Sequence, residues 1–189
     1  MTLPRTRLMA LVAVAALLLA GGLVWWLGPL RARPWVPTCT DLAPALQDQV
    51  GGGWTVTDPD EGREGGEHQS STTCTISFVT ADQKYTGTLD MAVAAALDED
   101  GGADEVAGAP CGDSDRQVAV PPGYQAYRVC STTTGATTLV TVWAAKNDRW
   151  GSAGVSINLR DGDAQAATAY AHDVARLAID QALTMTEPE

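Results

Sequence analysis

The chain has 189 residues, with 12 Lys and Arg against 23 Asp and Glu and a formal net charge of −11. All the acidic residues follow residue 33, so the stretch from Pro34 to Glu189 carries a formal charge near −15. A surface of that sign repels nucleic acid and anionic lipid headgroups and leaves cations or basic partners as the attracted classes.

Residues 1–7 read as a short cytoplasmic tail. Residues 8–30 hold no charge and are mostly Leu, Val, Ala and Trp, long enough as a helix to cross a hydrocarbon core of about 30 Å. A cleaved signal peptide needs a shorter apolar region and a small-x-small site, whereas this run leads into Trp25, Trp26, Leu27, Gly28 and Pro29. A lipoprotein needs a lipid-bearing Cys at the end of the run, and Cys39 lies well past it. An uncleaved signal anchor remains, with Trp25 and Trp26 suited to the interface. The expected partner of residues 8–30 is therefore the lipid bilayer.

Arg5 and Arg7 before the segment balance Arg31 and Arg33 after it, so charge leaves the orientation open. Cys39, Cys74, Cys111 and Cys130 all follow the segment, and none forms a C-x-x-C pair. An even set of this kind suits disulfides in an oxidising compartment. The expectation is a plasma-membrane protein with its N-terminus inside and its C-terminal domain outside. Of three possible connectivities, the sequential one (Cys39–Cys74 and Cys111–Cys130) is expected. By the chain-entropy treatment each bridge would contribute about 3 kcal/mol.

Residues 31–38 read as a stiff linker, 39–185 as one α+β domain and 186–189 as a tail. Thr40 or Asp41 can cap a first helix, with Leu42, Leu46 and Val50 on one face and Gly51, Gly52 and Gly53 ending it. Residues 54–57 form a short strand candidate, and 58–70 an acidic loop. Cys74, Ile76 and Phe78, then Tyr85 to Val93, alternate with period two and predict a hairpin turning near Asp82. Residues 98–110 read as a second acidic loop and 117–120 as extended. Strands are predicted over 124–130, 137–145 and 150–159, the last two joined at Asn147-Asp148. Asp161 or Asp163 caps a final helix with Ala167, Tyr170, Ala171, Val174, Leu177 and Ala178 as its apolar stripe. The fold class is α+β, an antiparallel sheet of about six strands covered on one face by the early and C-terminal helices.

Catalytic and ligand motifs fail on their own chemistry. Cys111-Gly112-Asp113-Ser114 is similar to the serine-nucleophile segment of trypsin-like proteases, but Asp115 and Arg116 replace the glycines that shape an oxyanion hole. From Asp58, the fifth and twelfth positions of a calcium loop are Gly62 and Gln69, so the EF-hand pattern is absent. Irregular calcium sites at Asp58, Asp60 and Glu61 or at Asp98, Glu99, Asp100 and Asp104 are the remaining metal reading, set against a solvated loop. His68 lies in an acidic loop, and His172 reads as a helix-surface residue. Trp54, Tyr124, Tyr127, Trp143 and Trp150 could line an apolar pocket but are read as sheet packing. No nucleotide or cofactor motif is present.

Cys39 before Leu42 and Leu46, the strand Cys74 to Phe78, the entry Gly123 to Tyr127, paired strands near Leu139 to Ala145 and an alanine-rich last helix together carry a likeness. This layout resembles the small extracytoplasmic domains of actinobacterial lipoproteins and of a serine/threonine-kinase sensor. The chain departs from them in lacking a lipobox and a kinase domain. The resemblance implies ligand sensing or protein contact at the cell envelope, with no chemistry to transfer. The expected function is a membrane-anchored extracytoplasmic module, not an enzyme, that binds an envelope protein or small ligand. The alternative is an envelope hydrolase drawing on scattered groups such as Asp90, Ser114 and His172.

Overall fold

The structure, a computed structural model, describes residues 34–60, 69–96, 101–111, 115–116, 118–159 and 163–187. The expected anchor at 8–30 lies outside these residues. Among the described residues no helix is long and apolar enough to cross a membrane.

The element order is α1 (Cys39–Val50), β1 (Gly53–Asp60), β2 (Gln69–Val79), β3 (Thr86–Ala96), α2 (Gly101–Gly108), β4 (Asp115–Arg116), β5 (Ala126–Thr134), β6 (Thr137–Lys146), β7 (Arg149–Asn158) and α3 (Ala164–Thr184). The strands form one antiparallel sheet in the order β1-β2-β3-β7-β6-β5-β4, six long strands and the two-residue β4. This is the expected α+β architecture of an antiparallel sheet with an early and a C-terminal helix. Sequential hairpins build it, except where β7 inserts between β3 and β6.

Period-two alternation decides which face is the core. Cys74, Ile76 and Phe78 on β2, Leu89, Met91 and Val93 on β3, Val140 and Val142 on β6, and Val155 and Ile157 on β7 point to one side and are buried. α1 covers this face at β1 and β2, and α3 covers it at β3, β6 and β7. The capping residue of α1 is Thr38, ahead of the expected Thr40 or Asp41. Asp41 instead completes a capping box, accepting from the Thr38 N–H at 2.9 Å. Asp163 caps α3, its Oδ1 accepting from the Gln165 N–H at 2.8 Å.

The structure pairs Cys39 with Cys74 and Cys111 with Cys130, at Cα separations of 5.5 and 5.2 Å. The first bridge fixes the start of α1 to the middle of β2. The second joins β5 to the segment after α2.

Two expectations are corrected. Residues 98–110 are not wholly a loop, because α2 occupies Gly101–Gly108. It lies so close to β7 that a Cβ on Gly102 would sit 2.7 Å from Trp150 Cε3. Trp150 Nε1 donates to Glu105 Oε2 at 2.6 Å, and Arg128 donates to the carbonyls of Ala107 and Ala109. β5 begins at Ala126 rather than at Tyr124. The end of the expected linker also packs on the domain, with Pro37 buried, Val36 against the core and Trp35 under the Arg149 guanidinium at 5.2 Å.

The centre of the sheet admits little extra volume. A Cβ on Gly151 of β7 would lie 2.1 Å from the Ala92 carbonyl oxygen, whereas one on Gly53 would meet nothing within 4 Å. Gly151→Ala should therefore lower unfolding stability by about 3 kcal/mol or more, and Gly53→Ala should change it by less than about 0.5 kcal/mol. Urea unfolding of the two variants measures the contrast, and equal effects would contradict the packing described for the β3–β7 pair.

Candidate functional site

Among the described residues, the helical face is incompletely roofed. Seven strands about 4.8 Å apart span about 29 Å, and two helices about 10 Å wide leave part of that width open. The opening lies beside the N-terminal half of α3, where a cleft of about 660 Å³ forms over β5. Val129 and Val140 line its sheet side, with Ser131 and Thr133 along the strand. On α3, Ala164, Thr168 and His172 fall at four-residue spacing and Gln165, Ala169 and Asp173 run beside them, so six helical residues share one wall. Val118, 43% exposed, closes the third side.

A line of hydroxyls crosses the cleft wall. Thr168 Oγ1 donates to the Ala164 carbonyl at 2.7 Å, so it can only accept from Thr138 Oγ1, 3.0 Å away. Thr138, fully buried, therefore accepts from Thr133 Oγ1 at 3.1 Å. The chain of donation runs from the cleft into the helix and leaves Thr133 Oγ1 as an acceptor. His172 Nδ1 lies 3.6 Å from Asp173 Oδ1, and the His172 side chain is 36% exposed.

The candidates named from sequence do not converge. Asp90 projects from the opposite face of the sheet and accepts from Thr75 Oγ1 at 2.8 Å, so it cannot meet His172. Ser114, His68, Glu61 and 98–100 lie outside the described residues. Among the described residues no three His, Cys, Asp or Glu side chains are placed to hold a metal ion. The four cysteines are spent in the two bridges.

The aromatic residues are dispersed rather than gathered in one pocket. Trp54 stacks on Phe78 at 4.9 Å, Trp150 lies beneath α2, and Trp143 lines a recess of about 190 Å³ beside the second disulfide. Tyr124 and Tyr127 meet edge to face near the C-terminal half of α3. There Asp180 accepts from the Tyr124 hydroxyl and, at 3.2 Å, from Lys146 Nζ.

Sequence reasoning placed His172 on the helix surface and passed over Val118, Thr133 and Thr168. One signal was available. Thr138 falls on the inward register with Val140, Val142 and Ala144, a hydroxyl on an apolar face.

Burial pulls the Asp180 carboxyl upward, but hydrogen bonds from Tyr124 and Lys146 and the charges of Lys146 and Arg176 outweigh it, leaving its pKa below the usual carboxylate value. A depressed folded pKa contributes stability above the unfolded value that is lost as pH falls through the folded one. Burial and the same hydrogen bond raise the Tyr124 pKa above 10, so its contribution is present below 10 and lost as pH rises through the folded value. Asp180→Asn should flatten the acid limb of the stability curve relative to the parent between pH 5 and pH 2. Superimposable limbs in urea titrations would contradict this account. The chain matches no protein family, no curated protein and no solved structure, so no activity comes to it by likeness.

Proposed function

We propose that this protein is a single-pass, membrane-anchored extracytoplasmic binding module whose working surface is the cleft between β5 and α3. The cleft carries the reading, with an apolar floor, a few directed polar groups and a volume of about 660 Å³, within the range of pockets that hold ligands. Support for the anchor comes from the uncharged run at 8–30, and support for the outside location from two disulfides in the domain. The likeness to actinobacterial envelope domains points the same way. Tethering holds the cleft at high effective concentration beside other membrane proteins. A hydrolase is less favoured because Thr168 spends its proton on Ala164 and Asp90 faces away from His172.

Two experiments test the proposal. Protease applied outside spheroplasts should digest the domain, and mass mapping without reduction should find both intramolecular bridges. A protected domain with four free thiols would overturn the location. A photoreactive amino acid at Ala169 in the cleft should give discrete adducts in native membranes, whereas one at exposed Ala92 on the opposite face should not. Equal labelling from both positions, or none from Ala169, would sink the cleft as the binding surface.

A further inference from the structure

Resting on that reading of the cleft, we infer that its ligand is a small apolar amine, whose uncharged body lies on the apolar floor and whose ammonium group is drawn by acceptors on the two walls.

The floor selects the body. Val118, Val129, Val140, Ala164 and Ala169 give the cleft apolar surface from both sheet and helix. Burial of apolar surface favours any uncharged body of fitting size, so the polar groups decide the class of ligand.

A census of donors and acceptors selects the head group. Thr168 Oγ1 gives its proton to the Ala164 carbonyl at 2.7 Å, Thr138 gives its own to Thr168 at 3.0 Å, and Thr133 gives its own to Thr138 at 3.1 Å. The relay ends on a carbonyl, which has no proton to return, and each hydroxyl has only one to give. Thr133 Oγ1 therefore meets a ligand as an acceptor on the strand wall. On the helix wall the Asp173 carboxylate is also acceptor-only, and among the described lining residues it is the one with a fixed charge. Ser131, Gln165 and His172 can donate or accept and so do not select. Among the described lining residues no side chain is donor-only. The ligand must bring the donors, and an ammonium group brings three of them with a charge opposite to that of Asp173.

Charge acts in the same direction. The N-terminus of α3 would favour an anion, but Asp163 already occupies it, with Oδ1 accepting from the Gln165 N–H at 2.8 Å. The formal charge near −15 on residues 34–189 attracts cations and repels carboxylates. The Asp173 side chain is 74% exposed, so solvent and salt screen its pull. It selects between ligands of equal body more than it supplies affinity.

The test uses the full-length chain in detergent micelles and three probes with one body: 4-phenylbutylamine, 4-phenylbutanol and 4-phenylbutyrate. Titrations at pH 8, where an alkylamine is charged, are followed by the backbone amide shifts of residues 129–140 and 164–173. The amine should bind about tenfold or more tightly than the carboxylate, with the alcohol between them and the gap narrowing at high salt. Asp173→Asn should weaken the amine several-fold and leave the alcohol unchanged. Thr133→Val should weaken both amine and alcohol, Thr133→Ser should restore them, and Thr134→Val, on the outward register of β5, should change neither. Where Thr133→Val fails to fold because buried Thr138 loses its donor, Asp173→Asn at the surface carries the test. Equal binding of the three probes, or tighter binding of the carboxylate, would overturn the inference and leave the cleft as a binding surface. If no probe shifts these amides, the inference fails, and the adducts from Ala169 decide the reading beneath it.

Discussion

The close approach of an alanine-faced helix to a valine-rich sheet sets the rest of this structure. Eight residues of α3 are buried against the sheet or α1, and five of them, Ala167, Ala171, Ala175, Ala178 and Ala182, are alanines. Short side chains let the 21-residue helix, about 30 Å long, settle along β6 and β7. Larger residues would lift the helix and spread its cover over more strands. Here it lies low along β6 and β7, and the cleft forms over β5 beside its N-terminal half.

The same sheet supplies what the helices lack. Neither α2 nor α3 has a basic residue in its last turn. Each receives an arginine from a strand. Arg128 donates to the carbonyls of Ala107 and Ala109, and Arg149 donates to those of Ala182 and Met185. A cation at a helix C-terminus meets the negative end of the dipole and satisfies carbonyls that the helix leaves unpaired. Arg149 also stacks on Trp35, so one side chain ties the N-terminal segment, the β6–β7 turn and the end of α3 together. Cys39–Cys74 does the corresponding work at the start of α1, and Gln49 bonds Gln181 at 2.7 Å between the two long helices.

Seen from the cleft, these ties give β5 rigid neighbours in β6 and α3. β6 holds one side of it along its whole length, and α3 stands beside it on the core face. The far edge of the sheet, β1, carries a register slip, a proline and acids, the usual defences against strand addition. On the polar face behind the sheet Thr75 and Asp90 are bonded to each other, and a small recess lies at Trp143.

Periodicity alone determined most of the architecture. Alternation over β2, β3, β6 and β7 and the four-residue spacing of α1 and α3 are local properties, so strand positions and the inward face follow from the sequence. The turns at Asp82 and Asn147-Asp148 were legible for the same reason. Asp82 accepts from the Lys84 N–H, and Asn147 tolerates a φ of 57°. What the sequence could not give was decided at long range. α2 begins Gly101-Gly102, has one fully buried large apolar residue, Val106, and exists because Trp150 and Arg128 hold it. The insertion of β7 beside β3 and the meeting of Thr138 with Thr168 depend on contacts 30 or more residues apart. The inward register of Thr138 was the one local sign; nothing local showed that Thr168 of α3 would meet it, so the cleft is a product of tertiary packing.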